Sequence, residues 1–167
     1  MNVLSTSNIS KLKANKIILG STCKAADPIT SYGSSKLISE RIILNAGGNV
    51  ARFVNVFDTN ASVTKTWKKI KKTAPIPVNN CKRYFISLEE SVNLLLFTAA
   101  MPTGRYAYNN LKLVSMKSIA KKMYPNRIFQ KINLRFGDRL NEKLVGNSEK
   151  TKLVNKHIIK IEDCWGV

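Results

Sequence analysis

The sequence predicts an α/β chain, with a parallel sheet first and a small C-terminal α+β part after it. Three observations carry this. The apolar run Ile17-Ile18-Leu19 is followed by a helical stretch, Ser31 to Asn45, and then by a second apolar run from Asn49. Strand, helix and strand in that order give parallel neighbours. Ala46-Gly47-Gly48 stands where the helix must stop, as glycine does at a helix C-terminus. Shorter strand-like and helix-like segments then alternate as far as Leu134.

Element by element, residues 3–13 read as a helix of modest amphipathicity, and Lys16–Gly20 as a buried strand with polar residues at its C-terminal end. Ser31–Asn45 is a helix with Leu37, Ile38 and Ile42 on its apolar side, and Asn49–Phe57 is the next strand. Val63, Trp67 and Ile70 fall at helical spacing. Lys65, Lys68, Lys69, Lys71 and Lys72 cover much of the rest of that segment, either as a solvated side or as a phosphate-facing stripe. Pro75 and Pro77 mark a break, and Arg83–Ser87 reads as a strand. Ser87-Leu88-Glu89-Glu90 has the spacing of a capping box and opens a helix from Leu88 to Ala100. A strand over Arg105–Asn109, a helix over Ser115–Tyr124 and a strand over Ile128–Leu134 follow. From Gly146 the chain is polar and lysine-rich, and is expected to be loosely held.

At 167 residues the chain is one domain by length, and 44% hydrophobic with 23% charged residues suits a packed globule. A net charge of +18 fits phosphates, nucleic acid or an anionic membrane. The lysines are dispersed over several elements, and no aromatic-basic stacking platform accompanies them. Solvated surface is therefore the reading, with a nucleic-acid binder as the alternative on charge alone and no specific nucleic-acid site expected. Cys23, Cys81 and Cys164 lack metal-ligand spacing, and with one histidine, His157, no metal site is expected. Sparse, odd-numbered cysteines and no leader-like N-terminus fit a reducing cytoplasm. The apolar run at Leu94-Leu95-Leu96-Phe97 is too short to span a bilayer. Trp67, Trp165, Cys164 and His157 carry no motif.

The chemistry gathers at Tyr32-Gly33-Ser34-Ser35-Lys36. Tyr and Lys four apart project from the same helix face. An ammonium beside a phenol favours the phenolate and moves its pKa from about 10 toward neutrality. Such a tyrosine can take a proton from an alcohol while hydride leaves the carbon. A hydroxyl at Ser21 or Thr22 can hold the same oxygen. Tyr and Lys at this spacing are common on helices. The order strand, Ser-Thr, Pro28 loop, Tyr-x-x-x-Lys, helix, strand is far more specific.

That order resembles the extended short-chain dehydrogenase/reductases, and within them the CapD-like polysaccharide-biosynthesis proteins. These include UDP-N-acetylglucosamine 4,6-dehydratases and nucleotide-sugar epimerases. Ser21-Thr22-Cys23-Lys24-Ala25 resembles the family's STDKA segment, and Pro28 to Lys36 its turn into the catalytic helix. Arg52-Phe53-Val54-Asn55-Val56 resembles RFGNV, and Arg83-Tyr84-Phe85-Ile86 resembles RYF(M/I). Arg135-Phe136-Gly137-Asp138 resembles RPGE or RPGD, with Phe136 in place of proline, and Asn141-Glu142-Lys143-Leu144 follows in place. The likeness runs from Asn2 to about residue 163.

The resemblance implies a truncated Rossmann-like sheet. Residues 1–60 would be the C-terminal part of an NAD(P)-binding domain, and 61–167 a substrate-binding part with a basic tail. It implies catalytic roles for Thr22, Cys23, Lys24, Tyr32 and Lys36, with Tyr32 and Lys36 also touching the cofactor, NAD or NADP. It assigns Asn55, Arg83, Arg135 and Asp138 to a UDP-sugar, the arginines because their planar fork suits diphosphate. Cys23 replaces the family's aspartate, a thiol near 8.5 for an acid near 4, which disfavours dehydration more than redox or epimerisation. None of the eight glycines forms the G-x-G-x-x-G turn that binds a dinucleotide pyrophosphate. The chain alone is therefore expected to bind NAD weakly, and to be active only if a complementary N-terminal chain or a homo-oligomer supplies that half. The alternative is a remnant that binds without turnover.

Overall fold

A computed structural model describes residues 2–60 and 62–164, so Trp165 lies outside the described residues. The chain runs α1 (Asn2–Ser10), β1 (Ile18–Thr22), a 3-10 turn (Cys23–Ala25), α2 (Ser31–Asn45), β2 (Asn49–Phe53), β3 (Asn55–Val56) and α3 (Val63–Lys68). It continues with β4 (Ile76–Val78), β5 (Lys82–Arg83), β6 (Phe85–Ile86), α4 (Leu88–Ala100), β7 (Gly104–Tyr108) and β8 (Val114–Ser115). The last elements are α5 (Met116–Met123), β9 (Phe129–Lys131), β10 (Glu149–Leu153) and β11 (Ile158–Asp163).

Two compact units divide these elements. The first takes the chain through Val54, Glu89–Asn110 and the chain from Lys143 on; the second takes Asn55–Leu88 and Leu111–Glu142. The chain first passes from one unit to the other after Val54, and α4 from Glu89, β7, β10 and β11 belong with the first unit. The run read as one strand from Asn49 to Phe57 is broken at Val54, and β2 and β3 lie in different units.

The first unit is built on one sheet of order β1-β2-β7-β11-β10. β1, β2 and β7 are parallel, as the strand-helix-strand order requires. β11 runs antiparallel to β7, and β10 antiparallel to β11. The region from Gly146, expected to be a loose tail, is therefore a hairpin completing the sheet. Its sequence hid this because β10 is EKTKL, with three charged residues in five. β11 supplies the apolar side: Ile158 packs with Ala51, Leu94 and Tyr106, while Ile159 and Ile161 pack with Ala107. His157 is exposed in the hairpin turn.

α2 begins at Thr30, whose hydroxyl accepts from Gly33 N at 3.1 Å. It ends in a Schellman arrangement. Gly48 N donates to Ile43 O and Gly47 N to Leu44 O, with Gly47 at φ 78°. Just beyond stands Asn49, fully buried at the start of β2. Its Nδ2 donates to Thr98 O at 2.6 Å and Met101 O at 2.8 Å, and its Oδ1 accepts from Gly104 N at 3.1 Å. One amide thus closes the end of α4 and aligns the start of β7.

The second unit gathers short elements around Trp67, Ile76, Val78, Cys81, Met116 and Ala120. Trp67 is 2% exposed and its indole N–H donates to Pro77 O at 3.0 Å. β4 pairs with β9, β3 with β6 and β5 with β8. Among the described residues no helix is long and apolar enough to cross a membrane.

Asn49→Ala leaves the buried Gly104 N–H without a partner, a cost of about 1–3 kcal/mol, and removes one of the two donors from both Thr98 O and Met101 O, which keep Met101 N and Lys16 Nζ. The expected result is a loss on the order of 3 kcal/mol in urea unfolding at unchanged m-value.

Candidate active site

β1 delivers Ser21 and Thr22 at its C-terminal end, the end at which open α/β sheets hold ligands. Successive strand residues point to opposite faces. Ser21 is 4% exposed and its hydroxyl donates to Glu40, so it serves the interior. Thr22 is half-buried, and its Oγ1 accepts from Lys24 N at 3.3 Å. The two hydroxyls are thus separated, Ser21 bonded inward and Thr22 at the strand end.

Tyr32 lies in the first turn of α2 and is 47% exposed. Lys36, one turn on, extends its Nζ to Gly20 O at 3.2 Å, which sets its ammonium over the end of β1. Gly33 makes this approach possible. A Cβ there would lie 2.4 Å from Lys24 O and 3.0 Å from Pro28 Cβ. The glycine inside Tyr-Gly-Ser-Ser-Lys lets the helix start press onto the 3-10 turn. Lys24 is exposed, while Cys23 is 3% exposed, with its sulfur 3.9 Å from Thr22 Oγ1. None of the three cysteines forms a disulfide.

Beneath this end of the sheet lies a charged cluster for which the sequence offered no signal. Arg52 donates to Glu40 Oε1 at 3.1 Å and Oε2 at 2.6 Å. It also donates to both oxygens of Glu149, at 2.6 and 2.8 Å, and to Leu144 O at 3.1 Å. Arg105 Nη1 meets Glu149 at 3.1 Å and Asp163 at 3.5 Å. Its Nε lies 2.7 Å from Glu40 Oε2, a charge contact in which the N–H points off the oxygen, so no hydrogen bond forms. Glu40, Arg52 and Arg105 are all buried. Burial lowers the Arg52 pKa, but Glu40 and Glu149 outweigh it and hold it above the ordinary arginine value. Burial likewise pushes Glu149 up, while the Arg52 hydrogen bond and charge, the Gly146 N–H and Arg105 bring it below its ordinary 4.5.

Asp27 pins the neighbouring loop. At φ 44°, it accepts from Lys143 Nζ and from Asn147 N, both at 2.8 Å. Gly146 passes so close that a Cβ would meet Asp27 Oδ1 at 2.7 Å.

In the second unit, Arg83, Arg135 and Asp138 meet at one loop. Arg83 Nη1 donates to Arg139 O at 2.7 Å, and its Nη2 lies 3.5 Å from Asp138 Oδ1. Asp138 N closes a turn onto Arg135 O at 2.9 Å, with Gly137 at φ 81° and Arg135 exposed. Asn55 is separate from that loop in its bonding. Its amide donates to Tyr84 O at 2.9 Å and to Glu142 Oε2 at 2.6 Å. Glu142, 8% exposed, also accepts from Tyr84 N at 3.2 Å, a holding role that the sequence did not suggest. No cluster of His, Cys, Asp and Glu able to hold a metal occurs among the described residues.

Residues 1–162 match the polysaccharide biosynthesis protein family, and the chain belongs to it. The inverting UDP-N-acetylglucosamine 4,6-dehydratase of Campylobacter jejuni subsp. jejuni serotype O:23/36 (strain 81-176) is 29% identical over 148 residues, 80% of this chain and 44% of that protein. The X-ray structure of Pen from Bacillus thuringiensis shares the fold at a TM-score of 0.84 and 22% identity, over 97% of this chain and 58% of that one. The Bordetella bronchiseptica enzyme WbmG in complex with NAD and UDP shares it at 0.72 and 16% identity, over 86% and 56%. The chain spans about half the length of the relatives it matches.

Because Glu149 is held below its ordinary value when folded, the unfolded chain takes up its proton first as pH falls. Its stabilisation is complete above about 4.5 and is lost as pH drops through the folded value. Glu149→Gln is therefore expected to melt lower than the parent at neutral pH and to show a shallower fall of Tm on acidification. Thermal melts across the acid range check both; parallel acid limbs would remove Glu149 from the linkage.

Proposed function

We propose that this chain supplies the sugar-side part of a nicotinamide-dependent nucleotide-sugar dehydratase or 4-epimerase of polysaccharide synthesis, acting in the cytoplasm on a UDP-sugar. The observation that supports it is that Lys36, one helical turn from the exposed Tyr32, reaches Gly20 O of β1, the strand that ends at Thr22. An exposed phenol and an ammonium at the carboxyl end of a parallel strand fit the reactive end of a bound NAD or NADP. When bound, the nicotinamide supplies a hydride acceptor. Thr22 would orient the sugar 4-hydroxyl, and Tyr32 would take its proton. Lys36 would steady the resulting charge and hold the cofactor ribose. Arg83 and Arg135 would meet the diphosphate, and Asp138 the ribose of the substrate. Asn55, whose N–H groups are engaged by Tyr84 and Glu142, would present its carbonyl oxygen.

Lys24 would assist loss of water where relatives pair it with an acid. Here Cys23 stands at that position and is buried, which favours epimerisation or redox over dehydration. The same observation supports a second reading, a protein that binds nucleotide sugar without turnover. The dinucleotide pyrophosphate would be held by a complementary N-terminal part, joined or separate, or through a homo-oligomer. The 167-residue chain alone is then expected to show no micromolar NAD binding by calorimetry.

The chain combined with the dinucleotide-binding half of a relative is assayed with NAD and UDP-N-acetylglucosamine, reading keto-sugar and epimer. Tyr32→Phe is expected to lower turnover by about two to four orders of magnitude, the scale of a lost general base. Lys36→Ala should act in the same direction, and Cys23→Asp should raise the share of dehydrated product. Full activity in Tyr32→Phe would overturn the assignment. No turnover by any form, with UDP-sugar binding retained, would establish the second reading.

A further inference from the structure

The basic excess is not spread evenly between the two units. The second holds 15 Lys and Arg against 3 Asp and Glu, a net +12 of the chain's +18. All three of its acids are engaged within the unit: Asp58 with Lys68, Asp138 with Arg83, and Glu142 with Asn55 and Tyr84 N. Lys69, Lys71, Lys72, Lys117, Lys121 and Lys122 are exposed and make no ion pair among the described residues.

Several of these cations form one surface. α5 turns Met116, Ile119, Ala120 and Met123 to the core, so Lys117, Lys121 and Lys122 line its outer side. The turn after α5 carries Arg127, whose Nη2 donates to Lys71 O at 2.7 Å and Ala74 O at 2.6 Å. That link joins the α5 side to the lysine turn after α3. Beside Arg127 stands Ile128, 77% exposed. The neighbouring aromatic, Tyr124, is packed against the core and so is withheld from base stacking.

We infer that the outer side of α5, with the turns at 69–72 and 124–128, docks on the headgroups of an anionic phospholipid bilayer. Charge complementarity supplies the attraction, since a Lys or Arg near an anionic leaflet contributes about 1 kcal/mol, roughly fivefold in binding. Ile128 decides the partner. An apolar side chain among cations gains by entering the acyl boundary, whereas a nucleic-acid backbone gives it nothing. This site is independent of the proposed chemistry at β1 and stands or falls separately from it.

The test is flotation of the full chain with phosphatidylcholine vesicles, with and without phosphatidylglycerol. Binding is expected only to the anionic vesicles, and should weaken as salt is raised. Lys117→Glu/Lys121→Glu/Lys122→Glu should lower it at least a hundredfold, and the matching Gln triple by a smaller factor, with unchanged far-UV circular dichroism in both. Ile128→Ser should weaken vesicle binding several-fold and leave binding to single-stranded RNA unchanged. Equal binding to neutral vesicles, indifference to the triple change, indifference to Ile128→Ser, or tighter binding to RNA than to anionic vesicles at physiological salt would each overturn the proposal.

Discussion

The first unit depends on keeping Arg52 and Arg105 charged inside it. Taking a guanidinium out of water costs several kcal/mol, and only well-placed carboxylates offset that. Glu40 from α2, Glu149 from the start of β10 and Asp163 at the end of β11 supply them. Ser21 of β1 adds its hydroxyl to Glu40. Strands β1, β2, β7, β10 and β11 and helix α2 are therefore bound to a common centre. Such a cluster is not evidence of extra stability, because apolar packing can replace ion pairs of this kind. It does set positions: an unmatched partner would be a buried, uncompensated charge.

That constraint reaches the surface. Ser21 faces inward to Glu40, so by strand alternation Thr22 is the hydroxyl left at the end of β1. Glu40 lies on the helix that carries Tyr32 and Lys36, so the cluster anchors that helix to the sheet. Gly33 then brings the helix start against the 3-10 turn. The C-terminal hairpin is held by Glu149, and the loop before it by Asp27.

The second unit solves a different problem. It has a small apolar core around Trp67 and Ile76, few acids, and many lysines outside. Its acids are used to hold its own loops, which leaves the outer side of α5 positive. The two units thus divide the charge of the chain between an internal use and an external one.

Much of this was legible in the residues. α2 and α4 have the boundaries that their signals indicate, because Gly47, the capping-box spacing from Ser87 and the apolar spacing are local. The parallel start of the sheet follows from strand-helix-strand order, and the Tyr-x-x-x-Lys helix from spacing alone. The family, too, could be recognised from collinear motifs. What residues in order could not express was pairing across distance. Glu149 lies 97 residues from Arg52, in a polar, lysine-rich segment that reads as a loosely held tail. Only the folded sheet makes it a buried counterion and its segment a strand. In the same way, Ser21 against Thr22, the inward turn of Cys23, and the gathering of lysines into one face were decided by which side each residue presents once the elements pack. The helices α2 and α4 and the first parallel strands follow from residue order, because they depend on neighbours a few residues away. Tertiary structure decided burial and charge partnership, because these depend on residues that meet only in three dimensions.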